Sequence, residues 1–180
     1  MSAESRSANA AKPRVRRGER ADAQAISDLA ARSWREGFRG IVPEEISPER
    51  AWRPDRIEAR LEGRVDDSAR TLVAELDGVV CGFVLYGRCR DDDLVNAGEV
   101  WALYVDPDHW RGGVGRALVD ASLAELAREG LREVTVWTLA ESPRNLRFYE
   151  ALGFELDGAT QRRESFGAPL EVRLRCALNS

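Results

Sequence analysis

Arg111-Gly112-Gly113-Val114-Gly115-Arg116 is the segment of this chain best suited by residue type to hold a ligand. It follows an apolar run, Val100 to Val105, through Asp106-Pro107-Asp108-His109-Trp110, and leads straight into a stretch of helical periodicity. Glycines let backbone amides approach a ligand closely and adopt positive φ. A helix beginning there leaves its first amides without partners and places partial positive charge at its mouth. An anion is the natural occupant, phosphate above all. The helix dipole contributes only about 1 kcal/mol, so directed amides and Arg111 or Arg116 must supply most of the affinity. The same glycines would equally serve to tighten a strand-to-helix turn. Two familiar phosphate turns do not fit. A P-loop ends in Gly-Lys-Ser or Gly-Lys-Thr, whereas Arg116-Ala117 follows Gly115. The dinucleotide fingerprint needs a third small residue where Leu118 stands.

The chain that carries this turn has 180 residues, enough for one domain with a real core. Hydrophobic residues at 43% and charged residues at 32% are the balance of a soluble globular protein. A net charge of −4 weighs against nucleic-acid binding and mildly favours a cationic substrate. Cys81, Cys89 and Cys176 form an odd set without CxxC spacing, and Cys81 and Cys176 read as core residues in a reducing compartment. With His109 the single histidine, no histidine-based zinc site is expected, and no metal. No apolar run approaches the roughly 18 residues of a membrane span. Met1 to Lys12 lacks the apolar middle of a secretory signal and reads as a disordered leader, leaving residues 13–180 as a single domain in the cytoplasm.

Several elements must position the turn. Arg14 to Arg17 is a short strand, and Asp22 caps a helix with Ile26, Leu29, Ala30, Ser33 and Trp34 on one face. Pro43, Pro48 and Pro54 restrict residues 37–54 to loops and short helical pieces, with a second helix over Asp55 to Leu61. Thr71 to Leu76 and Val79 to Tyr86 form a hairpin about Asp77-Gly78. Asp91-Asp92-Asp93 reads as a solvated loop, and Glu99 to Val105 as a strand stopped by Asp106-Pro107. The helix after the turn runs from Val114 to about Glu129, with Val114, Ala117, Leu118, Ala121 and Leu126 as its apolar stripe and Gly130 as its stop. Glu133 to Trp137 is another strand. Ser142-Pro143 opens a helix ending at Leu152-Gly153, and Phe154 to Leu156 and Leu170 to Leu178 are extended. The order is mixed α+β, with one strand-helix-strand unit in the middle.

The run from Glu99 to Leu118 resembles the strand-turn-helix core of the GNAT superfamily of acyl-CoA N-acyltransferases. Downstream, Arg147-Phe148-Tyr149-Glu150-Ala151-Leu152-Gly153-Phe154 resembles that superfamily's aromatic-Tyr-Glu-x-x-Gly-Phe helix end. Two motifs in the right order and spacing are far more specific than either alone, and the resemblance spans about Val15 to Leu178. It implies a three-layer α/β arrangement, with a central, mixed, mostly antiparallel twisted sheet splayed at the cofactor site and helices on both faces. The chain departs from the pattern at two places. Trp110 stands where a Gln or Arg usually precedes the glycines, and Ser142 stands where an Asn is common.

The resemblance implies acetyl-CoA as cosubstrate and direct attack of a primary amine on its thioester. The pyrophosphate would rest on Arg111, Gly112, Gly113, Val114, Gly115 and Arg116. The pantetheine would lie as an added strand along the backbone of Leu103, Tyr104 and Val105, with Ser142 or Asn145 near the arm or the phosphates. Tyr149 matches the general-acid position, and Glu99 is the candidate base. Such proton transfers contribute about 10²- to 10⁴-fold. Each has a plainer reading, Tyr149 as a core tyrosine and Glu99 as a polar strand entrance. His109 is expected to pack against or solvate the turn, and Glu150 to be a solvated helix residue. Trp34 and Phe38, with Ile41, Val42, Trp52 and a late loop around Phe166, are candidates for the acceptor pocket, although Trp34 also suits the core. The acceptor would be a small molecule, or a protein N-terminus or lysine. A non-catalytic acyl-CoA sensor is the reading from a different class, and a homodimer is an expectation from the family.

Overall fold

The hairpin signalled by Asp77-Gly78 is present: β2 (Arg70–Leu76) and β3 (Val79–Arg88) pair antiparallel about a turn with both residues at positive φ. β1 (Arg14–Arg17) adds to the outer edge of β2, and β4 (Ala97–Val105) to β3. β5 (Glu133–Leu139), β6 (Glu155–Arg162) and β7 (Leu170–Ala177) complete a seven-stranded sheet of order β1-β2-β3-β4-β5-β7-β6. All neighbours are antiparallel except β4 and β5. The computed structural model describes residues 12–43, 46, 52–65, 68–163, 167 and 169–178. The expected leader, apart from Lys12, and Phe166 lie outside the described residues.

Strand alternation distributes the apolar side chains to two faces. On one face Leu72, Ala74, Val84 and Tyr86 pack with Leu118, Val119 and Leu126 of α3 (Val114–Arg128) and with Tyr149 of α4 (Pro143–Glu150). On the other, Val73 and Phe83 meet Ile26, Leu29 and Ala30 of α1 (Ala23–Gly37) and Ile57 of α2 (Pro54–Leu61). The fold is thus α+β in three layers, a mostly antiparallel sheet between helices. β4, α3 and β5 make the parallel strand-helix-strand unit expected at the centre.

Two local expectations are corrected. Asp22 stands at the start of α1, yet its carboxylate does not cap that helix. It accepts from both Arg16 Nη1 and Nη2, at 2.7 and 2.8 Å, and from the Glu19 amide, because a guanidinium fork outcompetes one backbone donor. Asp91 and Asp93 are not simple loop solubilisers. Both accept from the buried Arg173, with Asp157 as its third partner, so the acidic loop is tied to β7.

Candidate functional site

β4 and β5 pair at only four positions, from Ala97↔Glu133 to Val100↔Val136. Beyond these, Trp101–Val105 and Trp137–Leu139 diverge and leave a wedge between the two halves of the sheet. Leu103, Tyr104 and Val105 line the open side of this wedge, still held to β3 by their other edge. A bulge in β4 opposite Leu85 and Tyr86 falls where the divergence begins, the usual device for bending a strand away from its partner.

Below the wedge, Asp106 caps a single 3₁₀ turn, Pro107–His109, by accepting the Asp108 amide. The chain then turns into α3 with Arg111 at φ 63° and Gly113 at φ 82°. The Gly112 amide bonds back to the His109 carbonyl, and Ala117 is the first to donate to the turn, at Gly113. Among the described residues, the amides of Arg111, Gly113, Val114, Gly115 and Arg116 have no backbone acceptor. They form a concave cluster of donors at a helix mouth, the arrangement an anion requires. Gly115 has a second role, since a Cβ there would meet the Phe148 ring of α4 at 3.2 Å. The Val114 side chain is turned into the core, so this residue offers only its backbone.

A cavity of about 420 Å³ lies over the turn and includes Leu103, Val105, Arg111, Gly113, Gly115 and Asn145. Among the described residues four arginines line it, Arg111, Arg116, Arg144 and Arg147, and no aspartate or glutamate does. Arg144 lies 4.0 Å over the ring of Trp110, and burial holds its guanidinium below its usual pKa. Its charge is therefore poorly solvated where an anion would compensate it. Trp110 does not replace the usual Gln or Arg as a phosphate ligand. Its indole N–H donates to the Val105 carbonyl at 2.7 Å and fixes the strand end. Arg116 is turned to the Ala151 carbonyl at 2.9 Å, so its side chain ties α3 to the end of α4.

On the other side of the wedge a second cavity, of about 360 Å³, is lined by Trp34, Phe38, Trp52, Glu99, Tyr104 and Tyr149 among others. The two cavities share Leu103 and Asn145. Asn145 donates to Thr138 Oγ1 at 3.2 Å, joining α4 to the diverging end of β5. The Tyr149 ring packs edge-on against Phe148 and Phe154, while burial pushes its hydroxyl pKa well above the usual tyrosine value. Among the described residues that hydroxyl has no hydrogen-bond partner. Ser142 occupies the N-cap position of α4 with no side-chain cap, is 2% exposed, and lines neither cavity. Trp34 and Phe38 pack edge to face at 4.6 Å, Trp34 buried in a small apolar cluster with Val42 and Leu139, so that it serves both core and cavity wall.

Glu99 is 1% exposed and, among the described residues, is held by Arg90. The Arg90 amide and Nε donate to Oε2 at 3.1 and 3.0 Å, and Nη2 donates to Oε1. Glu171, also buried, accepts from Gln161 and Arg163 on the same wall. Arg90, Arg163 and Glu171 escaped sequence reasoning because they lie outside any motif, and only the sheet brings them to Glu99. The cysteine thiols are all held above their usual pKa by burial, which suits neither a nucleophile nor a ligand. Among the described residues no group of three or more His, Cys, Asp or Glu side chains could hold a metal, and no helix is long and apolar enough to cross a membrane.

A splayed sheet beside a donor-lined helix mouth accommodates an extended arm ending in a pyrophosphate. Comparisons with known proteins identify the family. The chain is 27% identical over 177 residues to the uncharacterized N-acetyltransferase YuaI of Bacillus subtilis, covering 92% of this chain and 98% of that protein. A 58-residue stretch is 47% identical to mycothiol acetyltransferase of Kocuria rhizophila; it is 32% of this chain but spans only 19% of that relative's length. The fold matches PaiA N-acetyltransferase from Thermoplasma acidophilum, solved in complex with coenzyme A, with TM-score 0.76, 18% identity and coverage of 93% and 99% of the two chains. Residues 24–154 match the acetyltransferase (GNAT) family, and the chain belongs to that family of acetyl-CoA-dependent N-acetyltransferases.

Proposed function

We propose that this enzyme, with residues 13–180 as its single domain, transfers the acetyl group of acetyl-CoA to a primary amine of a small molecule by direct attack. The observation that carries this reading is the meeting of the two cavities at Leu103 and Asn145, with Tyr149 lining the second of them. Acetyl-CoA supplies an activated thioester carbonyl. The amides of Arg111, Gly113, Val114, Gly115 and Arg116 and the guanidiniums of Arg111 and Arg144 hold its phosphates, with Gly112 shaping the turn through its own bond to the His109 carbonyl. The open edge of Leu103 to Val105 aligns its arm through backbone hydrogen bonds, with Asn145 fixing the second wall.

Two residues manage the protons. Glu99, directly or through a water, takes one proton from the acceptor ammonium, leaving the neutral amine that attack requires. As the C–N bond forms and the C–S bond breaks, Tyr149 donates to the departing sulfur. It regains the proton that the acylated nitrogen loses, so one proton is released overall. A phenol is protonated at neutral pH in any case, and the burial that pushes the Tyr149 pKa up keeps the donor form present. We assign the enzyme to the cytoplasm, where three free cysteines would stay reduced.

Thiol release from acetyl-CoA over a panel of amines and peptides tests the reading. Turnover of small amines supports it, while turnover confined to peptide N-termini or lysines would replace it with a protein acetyltransferase. Coenzyme A that raises the melting temperature without turnover on any acceptor would make the chain a sensor.

A further inference from the structure

We infer that the amine acceptor is a small zwitterion, an apolar or aromatic amino acid or a close analogue, whose carboxylate is taken by Arg90 and whose amino group is presented to Glu99. The inference rests on the acetyl-transfer reading and names its acceptor. Arg90 and Glu99 line the 360 Å³ cavity and also an adjoining one of about 290 Å³. Across both cavities the described lining carries Arg60, Arg90, Arg162 and Arg163 against Asp91, Glu99 and Glu171, four cationic groups to three anionic. Among the described residues, the cavity over the glycine turn on the far side of the wedge has four arginines and no acid. A polyamine approaching Glu99 would have to pass the Arg90 guanidinium with no anion to offer it. An amine that brings its own anion would not.

The Arg90–Glu99 pair shows what that anion is. Arg90 already grips a carboxylate with two arms of its guanidinium, a fork that fits a second carboxylate equally well. Its side chain is 46% exposed and lies over Trp101 at 4.3 Å, whereas Glu99 is enclosed. Arg90 is thus the partner placed to move. When a zwitterion enters, guanidinium, substrate carboxylate, substrate ammonium and Glu99 alternate in sign. No buried charge loses its counter-ion in the exchange. Glu99, relieved of the guanidinium, then accepts the ammonium proton. The remaining walls set the side chain: Trp34, Phe38 and Trp52 are apolar, and 360 Å³ is at the small end of ligand cavities.

Matched acceptors test this with the unaltered full chain. L-Phenylalanine and L-methionine are each compared with their methyl esters and decarboxylated amines, alongside spermidine and an alanine-initiated peptide, rates being corrected for the free-amine fraction. The expected result is kcat/KM at least about tenfold higher for the free amino acids, equivalent to about 1.4 kcal/mol of discrimination. In Arg90→Gln that ratio falls towards unity, and Arg90→Lys restores part of it, which a merely structural arginine would not do. Esters, decarboxylated amines, spermidine or the peptide serving as well as the free acids would overturn the inference and leave acetyl transfer standing. No turnover of any amine would overturn both. Should Arg90→Gln not fold, the ratios measured on the unaltered enzyme decide the matter alone.

Discussion

The Phe148 ring lies against Gly115, where a Cβ would come within 3.2 Å of it. The glycine turn and the Tyr149 helix are therefore one packed unit, and a change at the turn is felt at Tyr149. Gly115→Val should push α4 outward and weaken coenzyme A binding and kcat together. Gly113→Ala should act first on stability, because a left-handed non-glycine residue costs about 1–2 kcal/mol, and should weaken coenzyme A binding only as far as the turn shifts to relieve the strain. Titration calorimetry with coenzyme A separates the two.

Tyr149→Phe should lower kcat by about 10²-fold, the lower end of proton-transfer contributions, with the coenzyme A-induced rise in melting temperature retained. Because burial raises the Tyr149 pKa, the activity of the native enzyme should persist into alkali beyond the ordinary tyrosine range near 10. A rate profile between pH 6 and 11 on a non-titrating acceptor shows whether it does. An unchanged kcat in the phenylalanine variant would remove Tyr149 from the chemistry.

Trp110→Phe should keep an aromatic surface under Arg144 but lose the donor to the Val105 carbonyl. One such hydrogen bond is worth about 1 kcal/mol, so the melting temperature should fall by about 2–4 °C. Scanning calorimetry with and without coenzyme A reads both the loss and any change in cofactor binding.

Arg173→Leu should be much more damaging. It leaves the buried Asp157 and the partly buried Asp91 without their cation. Breaking a buried pair from one side costs about 3–5 kcal/mol, or roughly 10 °C at this chain length. Urea melts of the variant measure the cost directly.

Hydrogen bonds from Arg16 hold the Asp22 carboxyl below its usual range, against the opposing effect of burial. Its folded-state pKa is therefore depressed. The stability it contributes is present above the unfolded value of about 3.9 and is lost as pH falls through the lower folded value. Melting temperature should drop below about pH 4, and Asp22→Asn should be less stable at neutral pH with a shallower acid decline.

What could be read from the sequence follows from where the determinants lie. Periodicity and turn chemistry are local, so the Asp77-Gly78 hairpin, the α3 stripe and the helix opened by Pro143 were legible within a few residues. The cluster of amides at the α3 mouth was legible for the same reason, with strand, glycines and helix start contiguous from Val100 to Leu118. The surroundings of Glu99 were not, because it meets Arg90, nine positions away across a loop, and Glu171 meets Arg163 just past the end of β6. The function of Trp110 was hidden similarly. Its type broke the expected pattern, but only its 2.7 Å bond to Val105 shows a strand clamp.

Only four ladder positions join the β1–β4 half of the sheet to the β5–β7 half. An arm lying in the wedge would lend extra rungs to this narrow waist, as well as delivering an acyl group. Resistance to unfolding should then rise with the logarithm of free acetyl-CoA above its Kd. Such a protein would persist longest when its donor is plentiful, so that abundance and fuel supply are coupled without any dedicated regulator.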